Sequence, residues 1–107
     1  MKAAKSSGNV FADIGFDALE AQELAVKADL LALVLKAMRE RKLTQTQAAA
    51  LVGVDQPTLS KALSGRLDSI TIDRIARWLV ALGQSVRIEV APKKRGAARG
   101  TMAVRVG

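Results

Sequence analysis

The chain has 107 residues, half of them apolar, with 17 basic and 10 acidic groups and a net charge of +7. This length suits one domain with a modest core. The absence of Cys and His excludes thiol nucleophiles, disulfides, zinc fingers and histidine acid–base chemistry. The carboxylates are scattered over capping and solvent positions, so no enzyme, metal site or cofactor is expected.

Residues 1–9, MKAAKSSGN, read as a flexible leader without the apolar run of a signal peptide. Val10, Phe11, Ile14 and Phe16 follow, and they contain both phenylalanines of the chain. They suggest an extended arm that docks on apolar surface, either the first helix of its own chain or a neighbouring subunit. Asp17 with Glu20 forms a capping box and predicts a helix from about Ala18 to Arg41, with no Gly or Pro inside it. Leu24, Leu31, Leu35 and Met38 share one stripe, flanked by Leu30, Val34 and Ala37. Val26 and Leu33 widen the apolar band, so the first half of this helix is expected to project and meet a partner. Arg39, Arg41 and Lys42 suit the negative end of its dipole better than a phosphate. The most apolar run, Leu30–Leu35, is bounded by Lys27, Asp29 and Lys36 and is too short to span a bilayer. A soluble, cytoplasmic protein is expected.

The organising stretch is residues 44–65, TQTQAAALVGVDQPTLSKALSG. Thr44 and Gln47 form a capping box, Ala48, Ala49 and Leu51 supply a packing side, and Gly53 ends the helix. Asp55 caps a second helix with Pro57 in its first turn, where N–H groups are spare. Leu59, Ala62 and Leu63 face inward, and Gly65 terminates. Two short helices with a tight break are what a helix-turn-helix requires. The outward side of the second helix carries Gln56, Pro57, Thr58, Ser60, Lys61 and Ser64. A merely solvated helix would be rich in Glu and Lys, whereas Gln, Ser, Thr and Lys reach base edges and phosphate oxygens. Arg66, just past the terminator, is a candidate phosphate contact.

Thr71 can cap a helix from Ile72 to Leu82 with a stripe of Ile72, Ile75, Leu79 and Leu82, Trp78 lying beside it as a core residue. From Ser85 the period becomes two. Val86, Ile88 and Val90 alternate with Arg87 and Glu89, a pattern that predicts a half-buried strand. Residues 92–107 form a basic tail in which Thr101–Val106 can make a second short strand of a hairpin. Net charge is +1 over residues 1–43, +1 over 44–83 and +5 over 84–107. Lys93, Lys94, Arg95 and Arg99 in the tail suit a polyanion through a salt-sensitive attraction, or simply favour solubility.

The run FADIGF, the long helix, the 44–65 motif, ITIDRIARWLVALG and VRIEV together resemble the Xre-type helix-turn-helix antitoxins of the HigA class, within the lambda-repressor-like family. The resemblance spans roughly residues 10–91, which are taken as the DNA-binding domain. It implies a mainly α fold, a lambda-repressor-like bundle of five-helix type with a C-terminal β-strand or hairpin. It also implies a dimeric repressor of its own toxin–antitoxin operon, with operator DNA and a RelE/HigB-like ribonuclease toxin as partners. A stand-alone phage-like regulator without a toxin is the alternative. Carried over by position, Gln45 contacts the phosphate backbone, Gln56 reads adenine, Pro57, Thr58 and Ser60 face the groove, and Lys61 meets guanine or phosphate. Ala62 departs from the larger aliphatic residue that many members have there.

Overall fold

The computed structural model describes residues 17–107. The leader 1–9 and the arm residues Val10, Phe11, Ile14 and Phe16 lie outside the described residues. Four helices follow in order: α1 (Ala18–Glu40), α2 (Gln45–Val52), α3 (Gln56–Leu63) and α4 (Ile72–Ala81), with a 3-10 turn at Leu67–Ser69 between the last two. Where the family resemblance implies five helices, the described residues contain four and this turn.

Local chemistry sets the helix starts. The Asp17 carboxylate accepts from the Glu20 N–H at 2.8 Å. Thr44 and Gln47 close a full capping box, the Thr44 hydroxyl accepting from the Gln47 N–H and the Gln47 amide oxygen from the Thr44 N–H. Asp55 accepts from the Thr58 N–H at 2.7 Å. Thr71 stands at the N-cap of α4 but makes no capping hydrogen bond with its side chain.

One device closes all four helices. A left-handed residue, Lys42, Gly53, Gly65 or Gly83, is followed by an N–H that reaches back five residues. These reach-backs are Leu43 to Met38, Val54 to Ala49, Arg66 to Lys61 and Gln84 to Leu79, and they satisfy otherwise orphaned carbonyls. At the first of them a lysine, Lys42 with φ 56°, occupies the conformation that glycine usually fills.

The chain divides into two compact units. One is Lys27–Arg87, and the other joins the stretch up to Val26 with Ile88–Gly107. In Lys27–Arg87, α2 packs on α3 and on α4. The small Ala48 and Ala49 permit the close crossing, and Leu59, Ile75, Leu82 and Val34 are fully buried. Trp78 and Leu79 complete the inner face of α4. Leu51 does not join the packing side expected of it, being 46% exposed. It sits about 160° round the helix from Ala49, which carries it off the inner face. Lys27 is buried along its stem and donates to the Leu67 carbonyl at 3.1 Å, tying α1 to the 3-10 turn.

In the other unit, Ala21 and Val26 are buried and the Gln22 side chain accepts from the Met102 N–H at 2.7 Å. The Met102 backbone thus lies against the second turn of α1, while its first turn stays exposed, with Leu19 at 58%. A turn at Lys94–Ala97, with the Ala97 N–H on the Lys94 carbonyl and Gly96 at φ 85°, brings Glu89 and Arg105 into an ion pair at 2.6 Å.

The described residues contain no β-strand, which corrects the expected C-terminal strand or hairpin. Alternation of side chains specifies which face a strand would bury, but not that a partner strand exists. Val86–Val90 and Thr101–Val106 exchange no backbone hydrogen bonds. Ile88 and Val90 are 87% and 92% exposed rather than half-buried. A lone two-stranded hairpin without a covered face is marginal in water, and one exposed ion pair adds little to it.

Candidate nucleic-acid interface

Gln45 and Gln56 each occupy the first helical position, Gln45 of α2 and Gln56 of α3. The turn between the helices brings them together, and Gln56 Nε2 donates to Gln45 Oε1 at 2.8 Å. This bond fixes both amides. Gln45 keeps two N–H donors, a set that fits phosphate oxygens. Gln56 keeps one N–H and its carbonyl oxygen, the donor–acceptor pair that matches the N7 and N6 edge of adenine.

At about 100° per residue, Gln56, Pro57, Ser60, Lys61 and Ser64 fall within one arc of α3, opposite the buried Leu59 and Ala62. Pro57 and Lys61 are exposed, while Gln56 and Ser60 are partly covered. Ser64 spends its hydroxyl on the Lys61 carbonyl at 2.8 Å. Thr58 falls outside the arc. It turns towards a cavity of about 200 Å³ lined also by Lys61, Ser69, Arg74 and Trp78.

Asp55 lies at the same end of α3. Hydrogen bonds from the Thr58 hydroxyl and then from its backbone N–H, with a smaller contribution from the Lys61 charge, hold the Asp55 carboxyl below its ordinary range. The group is thus an ionised cap at neutral pH, which accounts for an acid beside a candidate phosphate surface. Arg66 is exposed on the loop after α3, whose backbone is pinned by the Ser69 N–H and hydroxyl on the Arg66 carbonyl. Lys93, Lys94, Arg95 and Arg99 are all exposed and belong to the other compact unit, around and after the Lys94–Ala97 turn.

Two further side chains at this surface, Arg74 and Ser69, join Thr58 and Lys61 only through the tertiary fold, and sequence reasoning misses both. The one readable signal is a cation in the first turn of α4, where a helix dipole gives it no stabilisation. No group of three His, Asp or Glu side chains that could hold a metal lies among the described residues. No described helix is long and apolar enough to cross a membrane.

A family model described as a helix-turn-helix domain matches residues 10–91. The chain belongs to this helix-turn-helix family. A solved structure assigned by its name to the XRE family of transcriptional regulators is similar to it at 28% identity, with a TM-score of 0.76, covering 82% of this chain and 99% of that one. No curated protein matches the chain. In this helix-turn-helix domain, α2 and α3 are the motif pair, and α3 is the helix that presents the Gln56 arc.

Proposed function

We propose that the chain is a sequence-specific repressor that binds double-stranded operator DNA as a homodimer in the cytoplasm. On this reading α3 enters the major groove. Gln56 reads adenine, Ser60 and Lys61 reach neighbouring base edges or phosphates, Pro57 contacts the groove wall, and Gln45 and Arg66 hold the backbone, while Thr58 serves the Asp55 cap. Residues 10–91 act as the DNA-binding domain. Lys93, Lys94, Arg95 and Arg99 add sequence-independent attraction from the tail.

The observation that carries this reading is the Gln56–Gln45 hydrogen bond. A part-buried glutamine with no base to read gains from this bond only its modest net stability. An amide that must present a donor and an acceptor together to one base gains affinity from being pre-positioned. The similarity to an XRE-family regulator supports the same reading. The further role, antitoxin of a RelE/HigB-like toxin that represses their shared operon, rests on the resemblance of the motif and its flanking elements to HigA-class proteins. A stand-alone regulator is the second reading, favoured by that regulator's name.

Selection of binding sites from random duplexes tests the DNA reading. The wild-type protein should enrich a two-fold-related pair of half-sites, and Gln56→Ala should erase preference for one adenine in each. Unchanged enrichment would refute direct readout by Gln56. Exchanging Lys93, Lys94, Arg95 and Arg99 for Gln should flatten the salt dependence of binding, by about 0.9 in log–log slope for each phosphate that is no longer neutralised. An unchanged slope removes the tail from the interface. Co-expression with the neighbouring reading frame decides between the two roles: a growth-arresting product neutralised by this chain supports the antitoxin.

A further inference from the structure

The segment Val86–Val90 reads Val-Arg-Ile-Glu-Val and is its own antiparallel complement. Laid against a second copy about a two-fold axis at Ile88, Val86 faces the partner's Val90 and Ile88 faces the partner's Ile88. Arg87 then faces the partner's Glu89, and Glu89 the partner's Arg87. We propose that a second copy of this chain docks here as an antiparallel strand, in this register.

Three observations converge on it. The backbone N–H and C=O groups of Val86–Val90 make no backbone hydrogen bonds among the described residues, so the segment presents an open edge. Two of its three apolar side chains are in water, Ile88 at 87% and Val90 at 92% exposure, and Val86 is 39% exposed. Arg87 has no ion-pair partner among the described residues, whereas the Glu89 carboxylate bonds Arg105 through one oxygen and keeps its other oxygen free. The two-fold register supplies what each group lacks: a hydrogen-bonded ladder, apolar cross-strand neighbours and a carboxylate for each Arg87. A shift by one residue would set Arg87 against Ile88 or Val90 and lose both charge pairs, so the charges also fix the register. An isologous contact of this kind closes as a dimer and cannot propagate. The inference gives the proposed homodimer its interface.

Charge reversal tests it on the full chain without DNA. Sedimentation velocity over a concentration series should show a reversible dimer. Arg87→Glu places like charges opposite each other in both cross-strand pairs and should weaken dimerisation by about tenfold or more. Arg87→Glu combined with Glu89→Arg restores both pairs in swapped order and should restore the dimer. The chain has no cysteine, so Ile88→Cys offers one thiol per copy, and mild oxidation should link the dimer covalently. Val86→Cys, two residues from the axis, should not link. A protein that stays monomeric throughout, a dimer indifferent to both charge variants, or equal linking at 86 and 88 would each overturn the proposal. Because the readout is assembly alone, loss of operator binding with an intact dimer counts against the DNA reading and leaves this interface standing.

Discussion

The hydrogen bond between Gln56 and Gln45 makes a quantitative demand on DNA affinity. A 2.8 Å bond between two neutral, part-buried amides contributes about 0.5–1.5 kcal/mol net. If Gln45 holds the Gln56 amide in place for its base, that energy should appear as coupling between them on operator DNA. Gln56→Ala should lose about 1–3 kcal/mol on operator DNA, the value of a bidentate base contact. Gln45→Ala removes a phosphate contact and also frees the Gln56 amide, so it should weaken operator binding and erode adenine preference together. The double variant should then cost less than the sum of the singles, by about 0.5–1.5 kcal/mol. Fluorescence anisotropy against the selected operator and against a scrambled duplex at fixed salt measures all eight affinities. On the scrambled duplex, Gln56→Ala should be nearly silent and the coupling should vanish. Strict additivity on the operator would refute the idea that one glutamine positions the other. Equal losses on both duplexes would refute base readout altogether.

Other consequences concern stability. Lys27→Met keeps the buried stem and leaves the Leu67 carbonyl without its donor, which should cost about 1 kcal/mol in thermal or urea unfolding once relief of the buried ammonium is counted. Hydrogen exchange at Leu67–Ser69 should quicken in the same variant. Lys42→Gly should stabilise the protein by about 0.5–1 kcal/mol, since relief of a left-handed lysine exceeds the entropy that glycine adds to the unfolded chain. Asp55 has a lowered pKa in the fold, so its stabilising effect is complete above its ordinary value of 3.8 and is lost as pH falls through the lower folded value. Wild-type stability should therefore fall more steeply over that acidic range than that of Asp55→Asn, and parallel curves would exclude the cap.

The helix boundaries are legible because their causes are local. Thr44, Gln47 and Asp55 act over three residues, and each does what its spacing announces. Gly53, Gly65 and Gly83 end helices for an equally short-range reason, while Lys42 does the same without any compositional signal. The outward arc of α3 follows from helical period, which at about 100° per residue already leaves Thr58 outside it. What the sequence hides is long-range. Lys27 reaches a carbonyl 40 residues away, and nothing in its neighbourhood marks it as the lysine whose stem is buried. The alternation at Val86–Val90 is real, yet among the described residues it makes no strand. A strand is a relation between two segments, and the described residues do not supply the second.

Energy links that open edge to the candidate interface. A regulator must prefer its site to random DNA by about 4–10 kcal/mol. The arc of α3 offers few base readers: Gln56, Ser60 and Lys61, with Ser64 already committed to the Lys61 carbonyl. With Gln56 and Lys61 at about 1–3 kcal/mol each and less for the Ser60 hydroxyl, one copy reaches only the lower part of that range. A second copy doubles the readout without adding any residue to α3, and a two-fold pair of half-sites follows from it. A variant held monomeric by Arg87→Glu should therefore keep much of its affinity for random DNA while losing most of its discrimination. If such a monomer discriminated as well as the dimer, α3 would have to read more bases than its side chains can reach.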